Sequence, residues 1–279
     1  MATTLRPAAV AGSWYPGTAE AIAREVDGYL AAAGAPQVPG RLVGLVSPHA
    51  GLSYSGPVAA YGYSLLRGGG PLTVVLVGPS HREAFDGVAL QGRGAWQTPL
   101  GRAPIDEETA AAVLAAAPSL VFEDASVHRQ EHSLEMQLPF LQRLLPSLCL
   151  VPLLMGGQSR EEIESLAAAL AVALRTRRAL LVASSDLSHY QPAAVANRLD
   201  GVVVDQVSRY DDAGLLRRLE LHQNVACGGG PVVAVMAAAR ALGADRATVL
   251  RYADSGDVEP RDKSRVVGYL SAALTASAA

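Results

Sequence analysis

The chain has 279 residues, half of them hydrophobic, and a formal net charge of −3. That is enough apolar material for a substantial core, and the scattered basic residues supply no positive field for phosphate backbones or anionic lipid, so neither nucleic acid nor membrane is an expected partner. Two cysteines are too few for a disulfide framework, and the first seven residues lack a secretory pattern, so the expected location is the cytoplasm.

In chain order, a helix is predicted over residues 20–33, a strand over 42–46, a helix over 58–67 and a strand over 73–77. Helices follow at 106–117 and 131–145, the second with Leu134, Leu138, Leu141 and Leu145 at helical spacing. Then come a strand at 149–154, a helix at 160–175, a strand at 179–183, and helices at 195–209, 211–219 and 231–242. Strands at 248–252 and 265–270 close the pattern. The strand runs are continuously apolar rather than alternating, as expected of strands buried on both faces. Helices alternating with such strands predict an α/β fold: one domain over residues 1–279, with a largely parallel central sheet flanked by helices and a short flexible tail at 276–279. The longest apolar runs, 166–174 and 231–239, are too short to span a bilayer. Cys149 lies inside an apolar run and reads as a small buried hydrophobe.

Ligands of open α/β sheets collect at the carboxyl ends of the strands. Three strands run into a histidine there, through Ser47-Pro48-His49-Ala50-Gly51, Gly78-Pro79-Ser80-His81 and Ser184-Ser185-Asp186-Leu187-Ser188-His189. One such imidazole is ordinarily a hydrogen-bonded loop residue; three in equivalent places point to a metal or catalytic site. A fourth piece is Cys227-Gly228-Gly229-Gly230-Pro231. With Pro231 as a first helical residue, helix amides would favour the thiolate, and the glycines would let backbone approach a ligand or metal. The alternative is an anion-binding glycine turn with an incidental cysteine.

Two other patterns compete. His128-Arg129-Gln130-Glu131-His132 matches the H-x-x-E-H of inverted zinc peptidases, but His128 is expected to precede the helix, so the pair would not share a face. These residues read instead as polar groups opening a helix, or as groups that orient metal ligands. Ser185, Asp186, Ser188 and His189 contain triad residue types, yet there is no G-x-S-x-G elbow and a triad draws on distant segments. Trp14 and Tyr15 read either as core packing of the N-terminal segment or as an aromatic platform near a pocket.

Together the pieces resemble a known family. Val10-Ala11-Gly12-Ser13-Trp14-Tyr15-Pro16, Ser47-Pro48-His49-Ala50-Gly51 with Tyr54-Ser55-Gly56, Gly78-Pro79-Ser80-His81, Glu131-His132-Ser133-Leu134-Glu135-Met136, Ser184-Ser185-Asp186-Leu187-Ser188-His189-Tyr190 and Cys227-Gly228-Gly229 are similar, in order, to the motifs of the Memo family. Its prokaryotic members are called AmmeMemoRadiSam system protein B. The resemblance implies a fold like that of the class III extradiol (LigB-type) dioxygenases, non-haem iron enzymes that open catechol rings. It implies a metal site of His49, His81 and Cys227, with His189 as proton shuttle and Asp186 orienting it or binding substrate. Tyr54, His132, Glu135 and Trp14 are expected to support the ligands or meet substrate. A thiolate in place of a carboxylate is softer, so iron(II) is the first expectation and copper or zinc are alternatives. Two functions follow: a metal-dependent redox enzyme of dioxygenase or oxidoreductase type, or a non-catalytic adaptor that recognises a peptide through a vestigial pocket. The ligand is an unknown small molecule or peptide, and the family name points to an AMMECR-type protein and a radical S-adenosylmethionine protein as partners.

Overall fold

A computed structural model describes residues 4–222, 225–258 and 262–277. The chain runs β1 (Leu5–Arg6), α1 (Ala19–Ala33), β2 (Arg41–Ser47), α2 (Leu52–Tyr63), β3 (Leu72–Pro79), β4 (Val88–Leu90), β5 (Ala95–Thr98) and β6 (Gly101–Pro104). It continues α3 (Glu107–Ala116), β7 (Val121–Glu123), α4 (Leu138–Leu144), β8 (Leu148–Met155), α5 (Arg160–Leu174), β9 (Ala179–Ser184) and β10 (Asp186–Gln191). The last elements are α6 (Ala193–Ser208), α7 (Asp212–Leu221), α8 (Gly229–Ala241), β11 (Arg246–Asp254), α9 (Ser255–Val258) and β12 (Val266–Ala276).

The continuously apolar runs become the middle of the main sheet. There β2, β9, β3 and β8 lie side by side and parallel, with Val74 to Val77 and Leu180 to Ala183 enclosed on both faces. The flanks make the sheet mixed. On one side β12 pairs antiparallel with β2, β10 and β11; on the other β4 is antiparallel to β8 and parallel to β7. A small sheet of β5 between β1 and β6 carries the N-terminal segment. Helices α1, α2 and α4 pack together, while α3, α5, α7 and α8 form a separate group. The interior apolar residues join in one continuous cluster, with a satellite of Val58, Ala253 and Tyr269.

Four expectations are corrected. The helix after β2 starts at Leu52, not residue 58, because the Trp14 carbonyl accepts the Leu52 amide (2.7 Å) and Pro57 is accommodated inside the helix. The helix expected from residue 131 starts at Leu138, after a 3₁₀ turn at Glu135–Gln137. The Glu131 carboxylate takes the amides of His132 and Ser133, both at 2.8 Å, and wraps that segment around itself instead. In the expected tail, Ala276 is a buried β12 residue; residues 278–279 lie outside the described residues. Cys149 is partly exposed at the start of β8 rather than enclosed. No helix among the described residues is long and apolar enough to cross a membrane.

Candidate metal site

The parallel core puts the carboxyl ends of β2, β3 and β9 side by side, and the loops leaving them carry the polar residues. His49 follows β2, His81 follows β3, and Asp186 opens β10 directly after β9. Cys227 comes from the loop before α8. The Asp186 carbonyl holds it by accepting the Cys227 amide at 3.2 Å. The ligand atoms of His49, His81 and Cys227 lie within 4.8 Å of one another, and Cys227 Sγ is 3.2 Å from His49 Nε2.

The hydrogen bonds determine which nitrogen each ring leaves free. The single hydroxyl proton of Ser184 goes to the Ser133 carbonyl, 2.7 Å away. Ser184 Oγ therefore accepts from its other two neighbours, the Gln137 amide nitrogen and His49 Nδ1, both at 2.8 Å. Gln137 is oriented in turn by Tyr63, whose hydroxyl donates to Gln137 Oε1 at 2.6 Å. His49 thus carries its proton on Nδ1 and turns the Nε2 lone pair toward Cys227. On His81, Nδ1 donates to Glu131 Oε1 at 3.1 Å, which frees Nε2 in the same way.

A second group of potential ligands, His81, Glu131 and His132, is equally compact. Its carboxylate is already occupied: Glu131 accepts the amides of His81, His132 and Ser133 as well as His81 Nδ1. Burial acts to raise the Glu131 pKa, but these bonds, led by His81, outweigh it and hold the group well below the usual carboxylate range. Glu131 is an orienting residue, in line with one of the two roles its motif suggested.

Burial, then the neighbouring His81 and His132, hold His49 far below its ordinary pKa, so it is a neutral donor. Burial also lowers His132 to about 4, with Glu131 opposing. The thiol departs from expectation. Burial and then the Asp186 carboxylate push Cys227 upward, more than the Gly228 amide can offset. The glycines differ as well. A Cβ on Gly228 would meet the Ser184 carbonyl at 2.4 Å, and one on Gly229 would meet Leu219, so these glycines let α8 start against β9 and α7 rather than approach a ligand.

A cavity of about 660 Å³ opens beside the cluster, lined by His49, His81, His132, Trp14, Tyr54, Asp186 and His189 among others. Trp14 reaches it and packs its ring, tilted, against His132 with centroids 4.2 Å apart, whereas Tyr15 is buried in the core. Asp186 spends Oδ1 on the amides of His49 (2.7 Å) and Ala50 (3.2 Å), tying the His49 loop to β10. Its pKa is raised by burial to about 6, with the His49 amide opposing. Two candidates do not line this cavity: Cys227, which lines a separate pocket with Gln158 and Leu219, and Glu135. Glu135 is fully buried and binds Arg6, the Ala9 and Val10 amides and the Tyr15 hydroxyl, bracing the segment that presents Trp14. His128 is buried against Trp96, with ring centroids 5.7 Å apart, and takes no part in the site.

Sequence reasoning passed over Ser184 and Gln137, which hold His49, and Tyr190, Ser255, Arg265 and Tyr269, which line the far wall of the cavity. Ser184 and Tyr190 stood inside a recognisable motif; the others carried no local signal, because their partners come from distant segments.

Two imidazoles and a thiol converging at the strand ends of an α/β sheet define a protein with a possible metal-binding site. A profile described as Memo-like protein matches residues 6–273. A MEMO1 family protein of Methanothermobacter thermautotrophicus is 38% identical over 277 residues, covering 95% of this chain and 98% of the relative. Another, of Methanopyrus kandleri, is 37% identical over 275 residues, covering 95% and 96%. The chain belongs to the Memo-like family. A crystal structure of an uncharacterized protein from Escherichia coli matches with a TM-score of 0.54 at 16% identity, covering 83% of this chain and 99% of that one, a likeness of fold alone.

Proposed function

We propose that the chain is a metal-dependent redox protein acting on a small molecule, with one transition-metal ion held by His49, His81 and Cys227. The observation that supports this is the convergence of two imidazoles and a thiol within 4.8 Å, each ring held by a hydrogen bond on its other nitrogen. Ligands at about 2.0–2.3 Å from one ion close that span with small adjustments. Because the thiol is otherwise protonated, metal uptake would release its proton. Iron(II) is placed first, since a site beside an open cavity with proton-transfer groups suits non-haem iron; copper and zinc fit the softer thiolate donor as well. A bound ion would supply Lewis acidity and, for iron or copper, electron transfer. The protein's own part is positional: His189 moves a proton to or from a ligand in the cavity, Asp186 keeps His49 and β10 in register, and Trp14 walls the cavity over His132.

The test is metal content after anaerobic purification, alongside His49→Ala and Cys227→Ser with folding checked by circular dichroism. Near-stoichiometric metal in wild type, lost in both folded variants, is the expected result. A wild type that stays empty under anaerobic iron, copper and zinc loading would overturn the reading. Tyr54, 42% exposed on the cavity rim, is the observation that keeps the adaptor alternative, since an aromatic there suits peptide contact without turnover.

A further inference from the structure

The cavity beside the cluster has two chemically different ends. One is the cluster itself, with His132 and Trp14. The other is built by β10, the start of α9 and β12, and presents Tyr190, Ser255, Arg265 and Tyr269.

The backbone leaves its preferred geometry to build this second end. Tyr190 has φ 59°, in the left-handed region that a bulky L residue seldom adopts. The pairing of β10 with β12 slips on both sides of His189, which re-aims His189 and Tyr190. Packing does not account for the strain, because the Tyr190 side chain stays 63% exposed. What the ring does meet is Arg265, whose guanidinium carbon lies 5.3 Å from its centre.

Arg265 is otherwise uncommitted. Lys263, two residues earlier, is paired with Asp257 at 2.6 Å, but Arg265 makes no ion pair among the described residues. The Asp262 carboxylate feels its charge, yet accepts the Ser264 amide. The neighbouring groups are donors too. Ser255 Oγ accepts the Val267 amide at 3.1 Å and shares a hydrogen bond with the Tyr269 phenol, so the two hydroxyls keep one proton between them for a ligand. Burial and then Asp186 push the Tyr269 phenol upward, so it keeps its proton. Asp186, the one carboxylate among the described residues that line the cavity, has Oδ1 engaged by two amides.

We propose that this end binds the anionic group, carboxylate or phosphate, of a small molecule whose other end reaches the metal cluster. The planar guanidinium fork matches both oxyanions, and the Tyr190 ring fixes its plane. Where the rest of the ligand lies rests on the proposed function; the anion site itself is made of side chains outside the metal cluster.

The test uses the whole metal-stripped chain, titrated separately with inorganic phosphate and with propionate. Binding is followed by ¹H–¹⁵N NMR at the His189 and Tyr190 amides and the Arg265 side chain. Saturable shifts are expected in wild type, weakened at least about tenfold by Arg265→Gln and only in part by Arg265→Lys, with Arg93→Gln unchanged. Tighter phosphate binding would indicate a phosphorylated ligand, and tighter propionate binding a carboxylic acid. No saturable shift with either anion, or equal binding by Arg265→Gln, would overturn the proposal. His49→Ala separates the two readings: it should lose metal yet keep anion binding, so a wild type that binds the anion but never metal refutes the metal site alone.

Discussion

Glu131 and Glu135 stand four residues apart, both buried and both saturated with hydrogen bonds, yet they build different regions. Glu135 gathers Arg6 at 2.6 Å, two N-terminal amides and the Tyr15 hydroxyl, and each of those donors ends inside the brace. Glu131 gathers three amides and His81 Nδ1, and the His81 ring carries a second nitrogen on toward the cavity. A buried carboxylate whose partners are all consumed is scaffold. One whose partner keeps a free lone pair extends a site.

Mutations should separate brace from site. Glu135→Ala leaves the Arg6 guanidinium and three further donors buried without their acceptor, and should cost about 3–5 kcal/mol in urea unfolding. Metal bound per folded molecule should stay at the wild-type level; a loss of metal with unchanged stability would reverse the assignment.

The next effect is a pH dependence, also on the brace side. Arg6 Nε donates to the His128 carbonyl at 2.6 Å, while both ring nitrogens of His128 are buried without a hydrogen-bond partner. Burial and then Arg6 lower this imidazole to about 4 from an ordinary 6.5. Between those values the unfolded chain binds a proton that the folded chain refuses. The stability present above pH 6.5 is therefore lost as pH falls toward 4, by up to about 3 kcal/mol. His128→Phe should flatten that slope between unfolding curves at pH 7 and pH 5. An unchanged slope would assign the acid sensitivity to other groups.

The smallest stability effect is expected on the site side. Ser184→Ala removes the acceptor for His49 Nδ1 and Gln137, at about 1–2 kcal/mol, but should weaken metal binding about 10–100-fold because the His49 tautomer is no longer held. Metal affinity by competition with a chelator, and the His49 tautomer by ¹⁵N NMR of the metal-free protein, read the two consequences separately. A wild-type tautomer in the variant would remove Ser184 from this role.

The helices at residues 160–175, 195–209 and 211–219 were legible because an apolar stripe at helical spacing dictates them almost alone. α5 begins on a Ser159–Glu162 capping box, and α7 on the Asp211 side chain. Short strands such as β4, β7 and β10 were not, since three to six residues carry too little periodicity and are strands through their neighbours. In the site, His49, His81 and Cys227 were findable from strand-end position and motif together. Tyr190 stood inside a motif, but it meets Arg265 only because β10 pairs with β12, and nothing near Arg265 in the chain announces that contact.

The amino-acid order alone determined the parallel core and the chain positions of its donor residues. Continuously apolar strands must be buried on both faces, and polar residues just beyond them are delivered to one edge of the sheet. Tertiary structure decided the rest: which nitrogen each histidine leaves free, the protonated state of the Cys227 thiol, and the donor-rich far wall of the cavity. Hydrogen-bond direction and desolvation depend on whichever groups folding brings alongside, and here Ser184, Asp186 and Arg265 come from segments far from the residues they act on.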